Sequence, residues 1–215
     1  MSQVSPLPGY RELFSTNPPL WAIWLVACRV SRSLKSRCLA RIFRAPGLYL
    51  GPGCVVLGSR HIAFGKRVYA EGHLWLEAVT RYGNQLYAPS LEIGDDVVFS
   101  DGVHVSCVQR VTIQRNSLIG RNVYISDGTH GSYKGANQSS PHEPPALREL
   151  SSAGPVNIGE GVCIGDHVVI LGPVTIGDGV TIPEYSVVRH DVPARTVVSG
   201  TRLPIEELAA ARQSR

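Results

Sequence analysis

Ile158-Gly159-Glu160-Gly161-Val162-Cys163-Ile164-Gly165-Asp166-His167-Val168-Val169-Ile170-Leu171-Gly172-Pro173-Val174-Thr175-Ile176-Gly177-Asp178-Gly179-Val180-Thr181-Ile182 repeats itself every six residues. Ile158, Ile164, Ile170, Ile176, Ile182 and Val188 form one row, and Val162, Val168, Val174, Val180, Ser186 and Val192 form a second. The first row also runs earlier, through Ile93, Phe99 and Val105 and, after a two-residue insertion, through Ile113, Ile119 and Ile125. Gly or Ser usually follows the large aliphatic, as in Ile119-Gly120 and Ile164-Gly165. A helix would place aliphatics at three- and four-residue steps and a half-buried strand at every second residue, so neither explains a strict six. One short strand and one turn per hexad does, with three hexads closing a triangular coil of a parallel β-helix. Coils stacked through their backbones then stand about 4.8 Å apart.

The rest of the chain arranges itself around that solenoid. Residues 1 to 19 are rich in Pro and Ser and read as loose. Residues 20 to 44 read as an amphipathic helix with Ile23, Ala27, Val30 and Leu34 on one stripe and most of the basic residues opposite; Pro46-Gly47 ends it. A β-helix domain over 46–200 carries two insertions, at 77–90 and 128–157, and a tail over 201–215 carries a short helix at 206–212. The chain is 43% hydrophobic and 18% charged, which fits one globular domain rather than disorder. The net charge of +4 is modest and concentrated in Arg29, Arg32, Lys35, Arg37, Arg41 and Arg44, so a nucleic-acid partner is not expected. The apolar run 20–30 lacks the flanks of a signal peptide and is too short to cross a bilayer. Five cysteines without paired spacing point to a reducing, cytoplasmic setting and to no structural metal.

The long loop begins at Ser126-Asp127-Gly128-Thr129-His130-Gly131, directly after the hexad residue Ile125. Loops of this length in a compact domain are usually functional. His130 is thereby anchored to a rigid coil on one side and covered by a loop on the other, which suits a general base; an ordinary surface or core histidine stays open on these residues alone.

The stretch from Ile119-Gly120 through Thr129-His130-Gly131, then the loop, then Gly154-Pro155-Val156-Asn157-Ile158-Gly159-Glu160-Gly161-Val162-Cys163-Ile164-Gly165 resembles the hexapeptide-repeat O-acetyltransferases. The nearest groups are the maltose, galactoside and nodulation enzymes, and especially those that acetylate lipopolysaccharide or exopolysaccharide sugars. The resemblance covers residues 48–200 and implies an all-β fold, a left-handed parallel β-helix, in a homotrimer with active sites between subunits. It implies acetyl-CoA as donor, no metal, and a sugar hydroxyl as acceptor. His130 matches the catalytic base and the Asp166 backbone N–H the oxyanion donor. Asp101 matches an acceptor-binding position, although Asp is also a favoured turn residue. Asp127, a second substrate-side candidate, either orients His130 or finishes a turn. Cys163, Gly165, Asp166, Glu184, Arg189, His190 and Thr201 fall where the family meets the cofactor. Relatives carry Trp at the position of Cys163 and Gly-Ala-Gly or Gly-Ala-Asn at Pro183-Glu184-Tyr185. These departures motivate an alternative, a non-catalytic trimeric scaffold or sugar-binding module.

Other users of the solenoid fit less well. A solenoid carbonic anhydrase needs a pair of histidines five residues apart, absent from positions 61, 73, 104, 130, 142, 167 and 190, and nucleotidyltransferases need a preceding α/β domain. For the N-terminal helix two roles stand: a cap on the first coil, or, with Trp21 and Trp24 beside the arginines, contact with the inner face of an anionic membrane.

Overall fold

The computed structural model describes residues 10–132 and 138–198. Thr201 and the expected helix at 206–212 lie outside them. Three parallel sheets dominate. Sheet 1 holds Tyr49–Leu50, Tyr69–Ala70, Val98–Phe99, Leu118–Ile119, Cys163–Ile164 and Thr181–Ile182. Sheet 2 holds Val55–Leu57, Trp75–Ala78, His104–Cys107, Tyr124–Ser126, Val169–Leu171 and Val187–Val188. Sheet 3 holds Ile62–Phe64, Ser90–Ile93, Arg110–Ile113, Val156–Ile158 and Val174–Ile176. Within the solenoid the chain visits sheets 1, 2 and 3 in turn and returns to sheet 1 one strand further along, so each circuit is a three-sided coil.

The register follows the hexads. Ile119 pairs with Ile164 and Ile164 with Ile182, while Ile125 pairs with Ile170 and Ile170 with Val188. All of these side chains are buried in one continuous core, as are Val162, Val168, Val174 and Val180 of the second row. Its one polar member, Ser186, is buried too and donates to the Pro183 carbonyl at 2.7 Å. Where a glycine follows the aliphatic, the reason is clearance. A Cβ on Gly165 would lie 2.5 Å from the Glu184 nitrogen in the next coil.

Three corners join the sheets. At the first, between sheets 1 and 2, the residue entering sheet 2 adopts a left-handed backbone in successive coils: Gly53, His73, Gly102, Asn122, His167 and Tyr185. The second corner, between sheets 2 and 3, carries both insertions. The shorter is narrower than the sequence suggests, because Trp75–Ala78 and Ser90–Ile93 are full sheet strands; it is a small antiparallel hairpin of Arg81–Tyr82 against Gln85–Leu86. The longer ends by Pro155, since Val156–Ile158 already pairs with Arg110–Ile113. It opens with an antiparallel pair, Gly128–His130 against Leu150–Ser152.

Two helices precede the coils. Part of the segment expected to be loose is α1 (Tyr10–Thr16), and the predicted amphipathic helix is α2 (Pro19–Ile42). The end of α2 and the turn after it pack on the solenoid. Leu39, Ala40 and Phe43 pack on the core, Ala45 is fully buried, and Phe43 meets Phe64 edge-on at 5.1 Å. The stripe of Ile23, Ala27, Val30 and Leu34 stays exposed. The first coil is therefore covered by the helix end and not by its apolar face.

Candidate active site

His130 ends a three-residue strand that leaves the solenoid at the second corner, and its side chain is exposed. Behind it, Ile125, Ser126 and Asp127 are buried. The Asp127 carboxylate accepts the N–H groups of Val108 and Gln109 at 2.7 Å and of Arg110 at 2.6 Å. These bonds are those of a turn-finishing residue, one of the two roles left open for Asp127, and none of them reaches His130. Residues 108–110 turn the corner of the preceding coil, where their N–H groups find no sheet partner, and a carboxylate satisfies all three. Cys107 lies beside it, its thiol pushed up to about 12 by burial and by the Asp127 charge.

The shorter insertion sits against His130. The Tyr82 ring meets the imidazole edge-on at 5.1 Å, and the Tyr82 hydroxyl donates to the Ala146 carbonyl at 2.8 Å. The Tyr87 hydroxyl donates to the Leu150 carbonyl at 3.1 Å and accepts the Leu150 N–H at 2.9 Å. Neither tyrosine stands out in the sequence. The available signal was that both insertions leave the hexad pattern at the same corner.

The remaining predicted residues divide between corners. Asp101, Gly165, Asp166 and Glu184 lie at the first, with Cys163 exposed on the adjoining strand of sheet 1. The Asp101 carboxylate is half-exposed and lies 2.9 Å from His73 Nδ1, a partner that sequence reasoning missed. The Asp166 carboxylate accepts the Arg121 N–H at 2.7 Å, and among the described residues its own N–H has no acceptor. His167 and Tyr185 stack beside this corner at 4.9 Å. Arg189 and His190 lie instead at the second corner, lining a groove of ≈ 550 Å³ with Pro155, Pro173 and Thr175.

The outer face of sheet 2 separates the two groups. Five residue steps of chain, from Asn122 to Asp127, cross it; at about 3.3 Å per step the corners stand on the order of 15 Å apart. Trp75, His104 and Tyr124 form an aromatic ladder on that face. Burial lowers the His104 pKa against the opposing pull of Glu77. One chain therefore carries His130, Arg189 and His190 at one corner and Asp101, Asp166 and Glu184 at another, each set spread over different coils. Among the described residues no group of His, Cys, Asp and Glu could hold a metal.

Comparison with known proteins agrees with this architecture. The model of the bacterial transferase hexapeptide (six repeats) family matches residues 155–190. Over 174 residues the chain is 33% identical to WbbJ of Escherichia coli (strain K12), described as a candidate lipopolysaccharide biosynthesis O-acetyl transferase; the match covers 80% of this chain and 85% of WbbJ. Among solved structures, a point mutant of AntD, an N-acyltransferase from Bacillus cereus, in complex with dTDP-4-amino-4,6-dideoxyglucose and coenzyme A, superposes with a TM-score of 0.55. That match has 16% identity and covers 78% of this chain and 88% of AntD. A second point mutant of AntD, in complex with dTDP and coenzyme A, gives 0.54, at 15% identity over 77% and 89% of the two chains. With a relative this similar along most of both chains, and with the hexads, stacked coils and histidine loop in place, the chain belongs to the hexapeptide-repeat O-acetyltransferase family.

Proposed function

We propose that this protein transfers the acetyl group of acetyl-CoA to a hydroxyl of a sugar during lipopolysaccharide or exopolysaccharide biosynthesis. One observation carries the reading: in a chain 33% identical to WbbJ, the histidine that matches the family's base is exposed at the end of a strand fixed to a rigid coil. His130 takes the proton from the acceptor hydroxyl as its oxygen attacks the thioester carbonyl. The tetrahedral oxyanion accepts a hydrogen bond from a backbone N–H, for which Asp166 offers one without an internal partner among the described residues. Collapse breaks the C–S bond, and the coenzyme thiolate leaves with the proton from the imidazolium. Cys163, Gly165 and Glu184 border the donor in this reading, and Arg189 and His190 meet its phosphates.

The separation of the two corners supports a homotrimer in which one protomer's second corner faces its neighbour's first. Asp101 of one protomer, paired with His73, then binds the acceptor beside His130 of the next. The coils wind left-handed, as the family resemblance implies. The protein works in the cytoplasm at the inner membrane face, where α2 presents Trp21 and Trp24, stacked at 4.6 Å, with exposed Leu20, Ile23, Val30 and Leu34. No described helix is long and apolar enough to cross a membrane.

Tyr185, 70% exposed beside Glu184, favours the second reading, a scaffold or sugar-binding module with a closed donor channel. Calorimetric titration of acetyl-CoA decides between them, with His130→Ala as control. Binding with a Kd on the order of micromolar, retained in the variant while acetyl transfer is lost, is the expected result. No binding at millimolar donor would give the scaffold reading the lead.

A further inference from the structure

The strand pair that carries His130 lies outside the three sheets, and an isolated ribbon of three residues a side has little stability of its own. A general base needs its ring held to within about 0.5 Å of the productive geometry. Beyond the ribbon's own hydrogen bonds, restraint comes from the shorter insertion, two coils away in the chain path. Leu150 is the residue in register opposite His130, and the Tyr87 hydroxyl engages both its N–H and its carbonyl. Five residues earlier, Tyr82 places its ring on the imidazole while its hydroxyl ties down Ala146 at the far side of the loop.

We infer that the 79–89 hairpin is a clamp on the catalytic histidine, with Tyr82 a positioning residue that sets the His130 ring and Tyr87 the residue that fixes the strand opposite. The inference rests on the acetyl-transfer reading for its kinetic consequence but not for its geometry. The hairpin bears no residue that takes part in bond making. Its effect is therefore on the orientation of the base and should appear in kcat, with donor binding untouched.

The test uses the full chain and the Tyr82→Phe and Tyr82→Ala variants, with histidine-ring NMR and steady-state kinetics. The His130 signals are identified by their loss in His130→Gln. Phe keeps the ring and removes the hydroxyl bond, whereas Ala removes both. Tyr82→Ala is expected to lower kcat about tenfold to a hundredfold, as small misplacements of catalytic groups do. Its acetyl-CoA KM should stay within about twofold, and the ring-current displacement of the His130 signals should disappear. Tyr82→Phe should retain that displacement and most of kcat. Equal losses in the two variants would overturn the inference in favour of a hydroxyl-borne loop contact, and so would unmoved His130 signals in Tyr82→Ala. If the wild-type protein moves no acetyl group, the acetyl-transfer reading falls, and the His130 signals alone judge the clamp.

Discussion

Asp127 shows how a residue three positions before a candidate catalytic histidine can serve the fold. Asp127 is 3% exposed and its carboxylate is engaged by three backbone N–H groups, so Asp127→Ala leaves the buried Val108 donor and two part-buried ones without their partner. The expected cost is on the order of 3 kcal/mol, read by urea denaturation, while the acceptor KM of the folded fraction stays put. The sequence could not separate this role from a catalytic one, because the partners are main-chain groups and carry no side-chain signature. The same limit hid His73, whose link to Asp101 joins neighbouring coils 28 positions apart. His130 was legible as a candidate because the hexads stop beside it, and its role as a base came from the family resemblance. The cysteines offer a test of the donor side. Cys163 is exposed while Cys107 is buried with its thiol raised to about 12, so maleimide should modify Cys163 and spare Cys107. Saturating acetyl-CoA is expected to slow the Cys163 reaction, followed by mass spectrometry; an unchanged rate would move the donor away from this strand.

At the scale of elements, periodicity made the coils readable and its absence made the insertions opaque. Ile164, Ile170 and Ile176 declare their strands because the same clearance recurs in each coil, whereas Tyr82 and Tyr87 obey no period. Gly165 marks where that clearance is tight. Gly165→Ala drives a Cβ against the Glu184 nitrogen at 2.5 Å, and about 1–3 kcal/mol of stability should be lost. Thermal unfolding of the variant checks this. The N-terminal helix was legible in extent and not in what it packs against, since an amphipathic stripe does not say what will cover it. With Trp21 and Trp24 about half exposed, the double change Trp21→Ala/Trp24→Ala should weaken sedimentation with phosphatidylserine vesicles about tenfold. Equal sedimentation of both proteins would remove the membrane role of α2.

For the whole molecule, the division of site residues between two corners predicts complementation. Asp101→Ala and His130→Ala are each expected to be inactive as homotrimers. Refolded together in equal amounts, they should recover about a quarter of wild-type activity, the fraction of sites that draw both native residues from different protomers. Recovery of none would place the site within one chain. Acid sensitivity follows from the aromatic ladder on sheet 2. His104 titrates below its ordinary 6.5 because burial disfavours its charged form, so on acidification the unfolded chain takes the proton first. Stability should fall as pH drops through the window beneath 6.5 and stay level above it, and His104→Phe should flatten the dependence in melts followed from neutral to mildly acidic buffer. Both insertions leave and rejoin the solenoid at one corner, between Ala78 and Ser90 and between Asp127 and Val156, with the core strands on either side in uninterrupted register. That corner works as a socket: the two peptides plugged into it meet each other through Tyr82, Tyr87, Ala146 and Leu150, so they have to be exchanged as a matched pair, while the scaffold's own folding problem stays the same.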